Sequence, residues 1–130
     1  MKIHHIGYLT KKLDKTLAEF LRLGYETEKE AAYDEIREVN IAFVRNGDYR
    51  VELIEPAGDQ SPLAPLLARY RNTPYHICYE TDDLAASIEE LSAAGYTIFQ
   101  PAAPAPCLDG RSVVFLLHRS MGIIELLELA

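Results

Sequence analysis

No apolar run in this chain approaches the roughly 20 residues that a membrane-spanning helix needs, and the N-terminus lacks the charged-then-apolar pattern of a secretory signal. A cytoplasmic protein with no membrane partner is therefore expected. Basic residues are scarce as well: 13 Lys and Arg stand against 20 Asp and Glu, for a formal charge of −7. That balance repels a phosphate backbone, and no basic cluster interleaved with aromatics offsets it, which argues against nucleic acid as a partner. There are only two cysteines, Cys78 within an apparent strand and Cys107 in a Pro-rich loop, too few for the disulfide framework of a small secreted domain. Two reduced thiols are expected.

What is present is a repeat. The 130 residues suit one domain, and a hydrophobic content of 48% can supply its core. "HHIGYLTKKL" at His4 returns as "YHICYETDDL" at Tyr75, and a constant offset aligns His5 with His76, Ile6 with Ile77, Tyr8 with Tyr79, Thr10 with Thr81, Leu13 with Leu84, Glu19 with Glu90, Gly24 with Gly95 and Tyr25 with Tyr96. Further on, "VELIE" at Val51–Glu55 corresponds to "IELLE" at Ile124–Glu128 with a slightly larger offset, so one loop of the second half is longer.

Each half opens on a β-run, "KIHHIGYLT" or "PYHICYETD", rich in β-branched and aromatic residues. A helix follows. Leu13, Leu17, Phe20 and Leu21 recur at helical spacing before the stop at Gly24; Leu84, Ile88 and Leu91 do so before Gly95, with Thr81, Asp82 and Asp83 as N-cap candidates. Then come "REVNIAFV" and "YRVELIEP" in the first half, and "YTIFQP", "RSVVFLLH" and "MGIIELLEL" in the second. The spacing predicts an α+β fold of two tandem β-α-β-β-β modules, 1–56 and 74–130, joined by a connector at 57–73 with a short helix near Pro62–Arg69. A module of about 60 residues buries too little surface to stand alone, so residues 1–130 are expected to form a single domain.

A paired module with "HHIG", "VELIEP", "YHICYETDDL" and "IELLE" in this order resembles the vicinal oxygen chelate superfamily, which includes glyoxalase I, bleomycin-resistance proteins and extradiol dioxygenases. The stretch "ELIEPAGDQSPLAPLLARYRNTPYHICYETDDL" is similar to that of methylmalonyl-CoA epimerases. The resemblance implies a cup-shaped mixed sheet around a metal site, one divalent ion (nickel, cobalt, zinc or manganese), and a homodimer. It assigns His5, Glu52, His76 and Glu125 as the metal ligands, position by position.

The residues themselves are compatible with that assignment. A strand shows alternate side chains on one face, so a His early in one strand and a Glu on a later one can converge, and each half supplies one of each. Two imidazoles and two carboxylates suit a divalent ion with positions left open for substrate. Glu55 and Glu128 fall three residues on from Glu52 and Glu125, hence on the opposite face, and are expected in solvent. His4 precedes His5 and should point away, and His118 lies in the "LLHRSMG" turn; neither is a preferred ligand.

Metal plus carboxylate points to removal of a proton next to a carbonyl, with the charge of the resulting enediolate stabilised by the ion. In glyoxalase-I-like enzymes a ligating Glu doubles as base, which makes Glu125 or Glu52 the candidate. Some epimerases carry an extra Glu on the preceding strand, where this chain offers Glu38 or Asn40. The expected activity is a glyoxalase-I-type lyase or isomerase acting on a small α-carbonyl or thioester substrate. An acyl-CoA epimerase is the first alternative and a metal-free drug-binding protein the second. Arg37, Arg45, Arg50, Arg111 and Arg119 are the available donors for a substrate tail.

Overall fold

The computed structural model describes residues 1–129, which fall into two compact units, residues 5–75 and residues 76 onward together with residues 1–4. The first half runs β1 (Lys2–Leu9), α1 (Leu13–Arg22), β2 (Glu26–Asp34), β3 (Val39–Asn46) and β4 (Tyr49–Pro56), followed by the connector helix α2 (Ala64–Tyr70). The second runs β5 (Thr73–Thr81), α3 (Leu84–Ala93), β6 (Thr97–Ala105), a 3-10 turn at Pro106–Leu108, β7 (Arg111–His118) and β8 (Gly122–Glu128). Strand order is β2-β3-β4-β1 in one half and β6-β7-β8-β5 in the other, with β1/β4 and β5/β8 parallel and the remaining pairs antiparallel. The α+β class and the β-α-β-β-β module are as expected.

In each half the first strand, the helix and the last two strands build one apolar layer. Leu13, Ala42, Val44, Val51 and Leu53 are buried together, with Tyr8, Leu17, Phe20 and Tyr25 packed on them. The second cluster repeats the arrangement with Leu84, Val114, Leu116, Ile124 and Leu126 beneath Tyr79, Ile88, Leu91 and Tyr96. At roughly 25 cal/mol per Å² of apolar area removed from water, these layers are the main stabilising term of each half. Leu21, assigned to the apolar stripe from its spacing, lies outside it at 43% exposure. Both helices end in the same way. Gly24 and Gly95 each take φ +100°, and the following Tyr25 and Tyr96 donate N–H bonds back to Phe20 and Leu91 carbonyls at 3.1 and 3.0 Å. This is a Schellman stop that a side chain other than glycine would strain.

The helix N-termini differ. Asp83 caps α3, its Oδ1 accepting from the Ala86 N–H at 3.0 Å. The equivalent residue of the first half is Lys12, which has no acceptor, and α1 has no local side-chain cap. Glu55 supplies one from β4: its Oε2 accepts from the Leu13 N–H at 2.8 Å, and its Oε1 accepts from Asn40 Nδ2 at 2.9 Å. Glu55 is thus half-buried and structurally engaged, which corrects the expectation of a solvated side chain. Glu128, its counterpart, is also half-buried rather than exposed.

The strand β2, "ETEKEAAYD", is the element that the apolar pattern does not reveal. It is polar and mostly exposed, and it pairs with β3 through two register shifts, between Thr27 and Lys29 and between Lys29 and Ala32. Its partner in the repeat, β6, has shifts at matching places and carries Pro101 and Pro104, a composition suited to an outermost strand. The connector helix begins at Ala64, with Pro65 in its first turn, and ends at Tyr70, close to the segment expected.

Candidate metal centre

Alternation along β4 separates two functions. Val51, Leu53 and Glu55 project toward α1, while Glu52 and Ile54 project to the other face. Glu52 lies opposite Phe43 on β3 and level with Gly7 on β1, which brings it to His5 two residues earlier on that strand. His5 is 1% exposed and Glu52 3% exposed, and His5 Nε2 lies 3.4 Å from Glu52 Oε1. The Phe43 ring meets the imidazole edge-on at 5.5 Å between centroids and fixes its plane.

The second half repeats this geometry. Glu125 on β8 lies opposite Phe115 and level with Cys78. His76 Nε2 is 3.0 Å from Glu125 Oε1, both residues are buried, and Phe115 packs edge-on against His76 at 5.2 Å. All four residues singled out from the sequence are therefore buried, as one His–Glu pair in each half.

Each pair can be tested against a metal by its own spacing. Ligands on adjacent corners of an octahedral ion, with bonds of about 2.1 Å, stand roughly 3 Å apart. The Nε2–Oε1 separations of 3.4 and 3.0 Å match this. A carboxylate inside apolar strands needs a compensating positive charge, and a divalent ion beside a neutral imidazole supplies one. The donor set fits a divalent ion.

The surrounding candidates sort differently. Glu38 is exposed in the turn before β3 with φ +54°, and Asn40 is committed to Glu55 on the helix side of the sheet, so neither stands beside Glu52. His118 stacks on Tyr96 at 4.5 Å and accepts the Ser120 N–H through Nδ1 at 3.0 Å, which makes it a turn residue. Of the arginines, Arg45 and Arg50 converge on Glu28, with Arg50 Nε at 2.7 Å and Arg45 Nη1 at 3.0 Å from its oxygens. Burial opposes ionisation of Glu28, but the hydrogen bonds from Arg50 and Arg45 outweigh it and hold the carboxyl below its ordinary value. Arg37 is paired with Asp34 at 3.0 Å, Arg111 lies 3.9 Å from Glu80, and Arg119 is exposed. Two cations absent from that set, Lys11 and Arg71, prove to line a cavity. Lys11 carries no local motif, and Arg71 is remote from it in sequence.

Residues 4–115 match the Glyoxalase/Bleomycin resistance protein/Dioxygenase superfamily, and the chain belongs to that superfamily. The relatives it resembles are of one kind. It is 29% identical to the mitochondrial methylmalonyl-CoA epimerase of Dictyostelium discoideum, over 98% of this chain and 77% of the relative. It is 28% identical to the ethylmalonyl-CoA/methylmalonyl-CoA epimerase of Cereibacter sphaeroides, over 88% of this chain and 87% of that one. Among solved structures, a variant of the Streptomyces coelicolor methylmalonyl-CoA epimerase in complex with 2-nitronate-propionyl-CoA superposes with a TM-score of 0.82 at 26% identity, covering 100% of this chain and 95% of that one. No helix among the described residues is long and apolar enough to cross a membrane.

Proposed function

We propose that this protein is a metal-dependent epimerase of an acyl-CoA thioester, inverting the carbon next to the thioester carbonyl. The observation that carries the reading is the repeated buried pair, His5 with Glu52 and His76 with Glu125, in a chain whose relatives are methylmalonyl-CoA epimerases. In this reading each of the four residues would supply one ligand atom to a single ion. When bound, the ion would supply Lewis-acid stabilisation of negative charge on the substrate oxygen.

The chain's own residues have defined tasks in this reading. A carboxylate removes the proton between two electron-withdrawing groups, and delivery of a proton to the opposite face completes the inversion. Glu125 and Glu52 are the carboxylates assigned to these steps, one from each half; Glu38 is exposed in the turn before β3, and Asn40 is bonded to Glu55. Phe43 and Phe115 hold the imidazoles in plane and contribute apolar surface beside the carboxylates. The lyase reading that ranks first on the sequence shares the proton-abstraction step. The relatives favour the epimerase.

Metal analysis of protein purified without chelating resin should find one divalent ion per chain, lost in His76→Ala and Glu125→Ala and kept in Glu128→Ala. Methylmalonyl-CoA in deuterated buffer should exchange its α-proton, followed by NMR. Protein that stays metal-free after dialysis against nickel, cobalt, zinc and manganese would remove the metal from this account. Exchange seen only with a methylglyoxal hemithioacetal would return the lyase reading.

A further inference from the structure

The C-terminal ends of β1 and β4 open onto a cavity of about 540 Å³ whose lining includes Lys11, Pro56, Asp59, Leu67, Arg71 and Asn72. All of it lies in the first unit, on the same strands that carry His5 and Glu52. The Asn72 Oδ1 accepts from the backbone N–H of Lys11 at 2.8 Å, which clips the β1–α1 loop to the end of the connector and keeps Lys11 and Arg71 at one cavity. Arg71 follows the last turn of α2 at φ 62° and ψ −159°, a region that is essentially glycine-only, and its N–H is bonded to the Leu67 carbonyl at 2.8 Å. The chain thus keeps an arginine where glycine would fit without strain.

The repeat provides an internal control. Lys11 and Pro56 of the first half correspond to Asp82 and Leu129 of the second, and these line a cavity of about 420 Å³ at the equivalent place. Lys2 and the Met1 amino group stand against Glu80 and Asp82 there, with no cationic excess, whereas Lys11 and Arg71 against Asp59 make the first cavity cationic. Of two cavities made by one duplication, only the first suits an anion.

We propose that the Lys11–Arg71 cavity binds the phosphorylated nucleotide end of a coenzyme A thioester, a reading that rests on the function proposed above. Lys11 and Arg71 take the phosphates, Leu67 and Pro56 offer apolar surface to the base, and Asp59 accepts from its amino group or from a ribose hydroxyl. The reach is suitable. Pro56 is four residues beyond Glu52 on β4, about 13 Å at about 3.3 Å per residue, a span that an extended pantetheine arm covers.

The test compares methylmalonyl-CoA with the methylmalonyl thioester of pantetheine, which lacks the nucleotide. Lys11→Asp and Arg71→Gly should each raise KM for the CoA substrate by about tenfold or more and leave KM for the pantetheine substrate and kcat for both unchanged. Arg71→Gly should also raise Tm, because it relieves the backbone while deleting the charge, a combination that a purely structural role for Arg71 would not give. Calorimetry with adenosine 3′,5′-bisphosphate should show binding to the wild type that Lys11→Asp weakens, whether or not either thioester is turned over. Loss of exchange on both thioesters alongside intact bisphosphate binding would overturn the epimerase reading alone. Equal KM changes for both thioesters, or bisphosphate binding indifferent to Lys11→Asp, would overturn the nucleotide site.

Discussion

Glu55→Ala isolates how the first module holds its helix. The substitution removes an acceptor of two hydrogen bonds, from the Leu13 N–H at 2.8 Å and from Asn40 Nδ2 at 2.9 Å. Loss of a helix cap costs about 1 kcal/mol, and loss of a hydrogen bond to a charged group from a half-buried amide adds about 1 kcal/mol more. The expected destabilisation is about 2 kcal/mol, or roughly 8 °C in Tm for a chain of this size, read by urea unfolding at constant m-value. The second module shows how to repair it. Asp83 occupies in α3 the place that Lys12 occupies in α1, so Lys12→Asp in the Glu55→Ala background should restore about 1 kcal/mol through a local cap. Glu128→Ala should change stability by about 0.5 kcal/mol or less, since α3 already has its cap. A Glu55→Ala protein as stable as the wild type, or a Lys12→Asp change with no effect in the double variant, would refute the capping account.

Other outcomes follow from the same geometry. Glu125→Gln should keep part of the ion and lose exchange of the substrate α-proton with deuterated solvent; retained exchange would assign the proton transfer to Glu52. Phe43→Ala opens a cavity beside His5 and should cost about 3–5 kcal/mol by chemical denaturation, with weaker ion binding, whereas Phe43→Leu should keep most of both. Glu28 is held ionised below its ordinary value of 4.5, so its pairing with Arg50 and Arg45 contributes stability above that pH and loses it as pH falls through the lowered value. Glu28→Gln should therefore flatten the fall of Tm with pH below about 4.5, and an unchanged profile would show that the cluster contributes nothing.

The duplication made much of the fold legible from residues alone. Repeated His, Gly and apolar positions marked two copies of one module, the helix stops at Gly24 and Gly95, and the buried residues His5, Glu52, His76 and Glu125, because a strand period of two and a helix period of 3.6 leave their imprint wherever one face is buried. Where neither face is buried that imprint fades. The polar strand β2 owes its conformation to the ladder offered by β3, and its register shifts break what alternation it has. The same holds for single side chains. Glu55 and Glu128 occupy equivalent places in nearly identical pentapeptides, yet only Glu55 caps a helix, because the nearby N-cap is Lys12 in one module and Asp83 in the other. Asn40 is turned to that carboxylate, and Lys11 shares a cavity with Arg71 only because a connector helix returns the chain to the end of β1. Periodicity belongs to a segment and is written in it, whereas a hydrogen bond or a cavity between residues 15 to 61 apart depends on how segments pack, which only the tertiary structure decides.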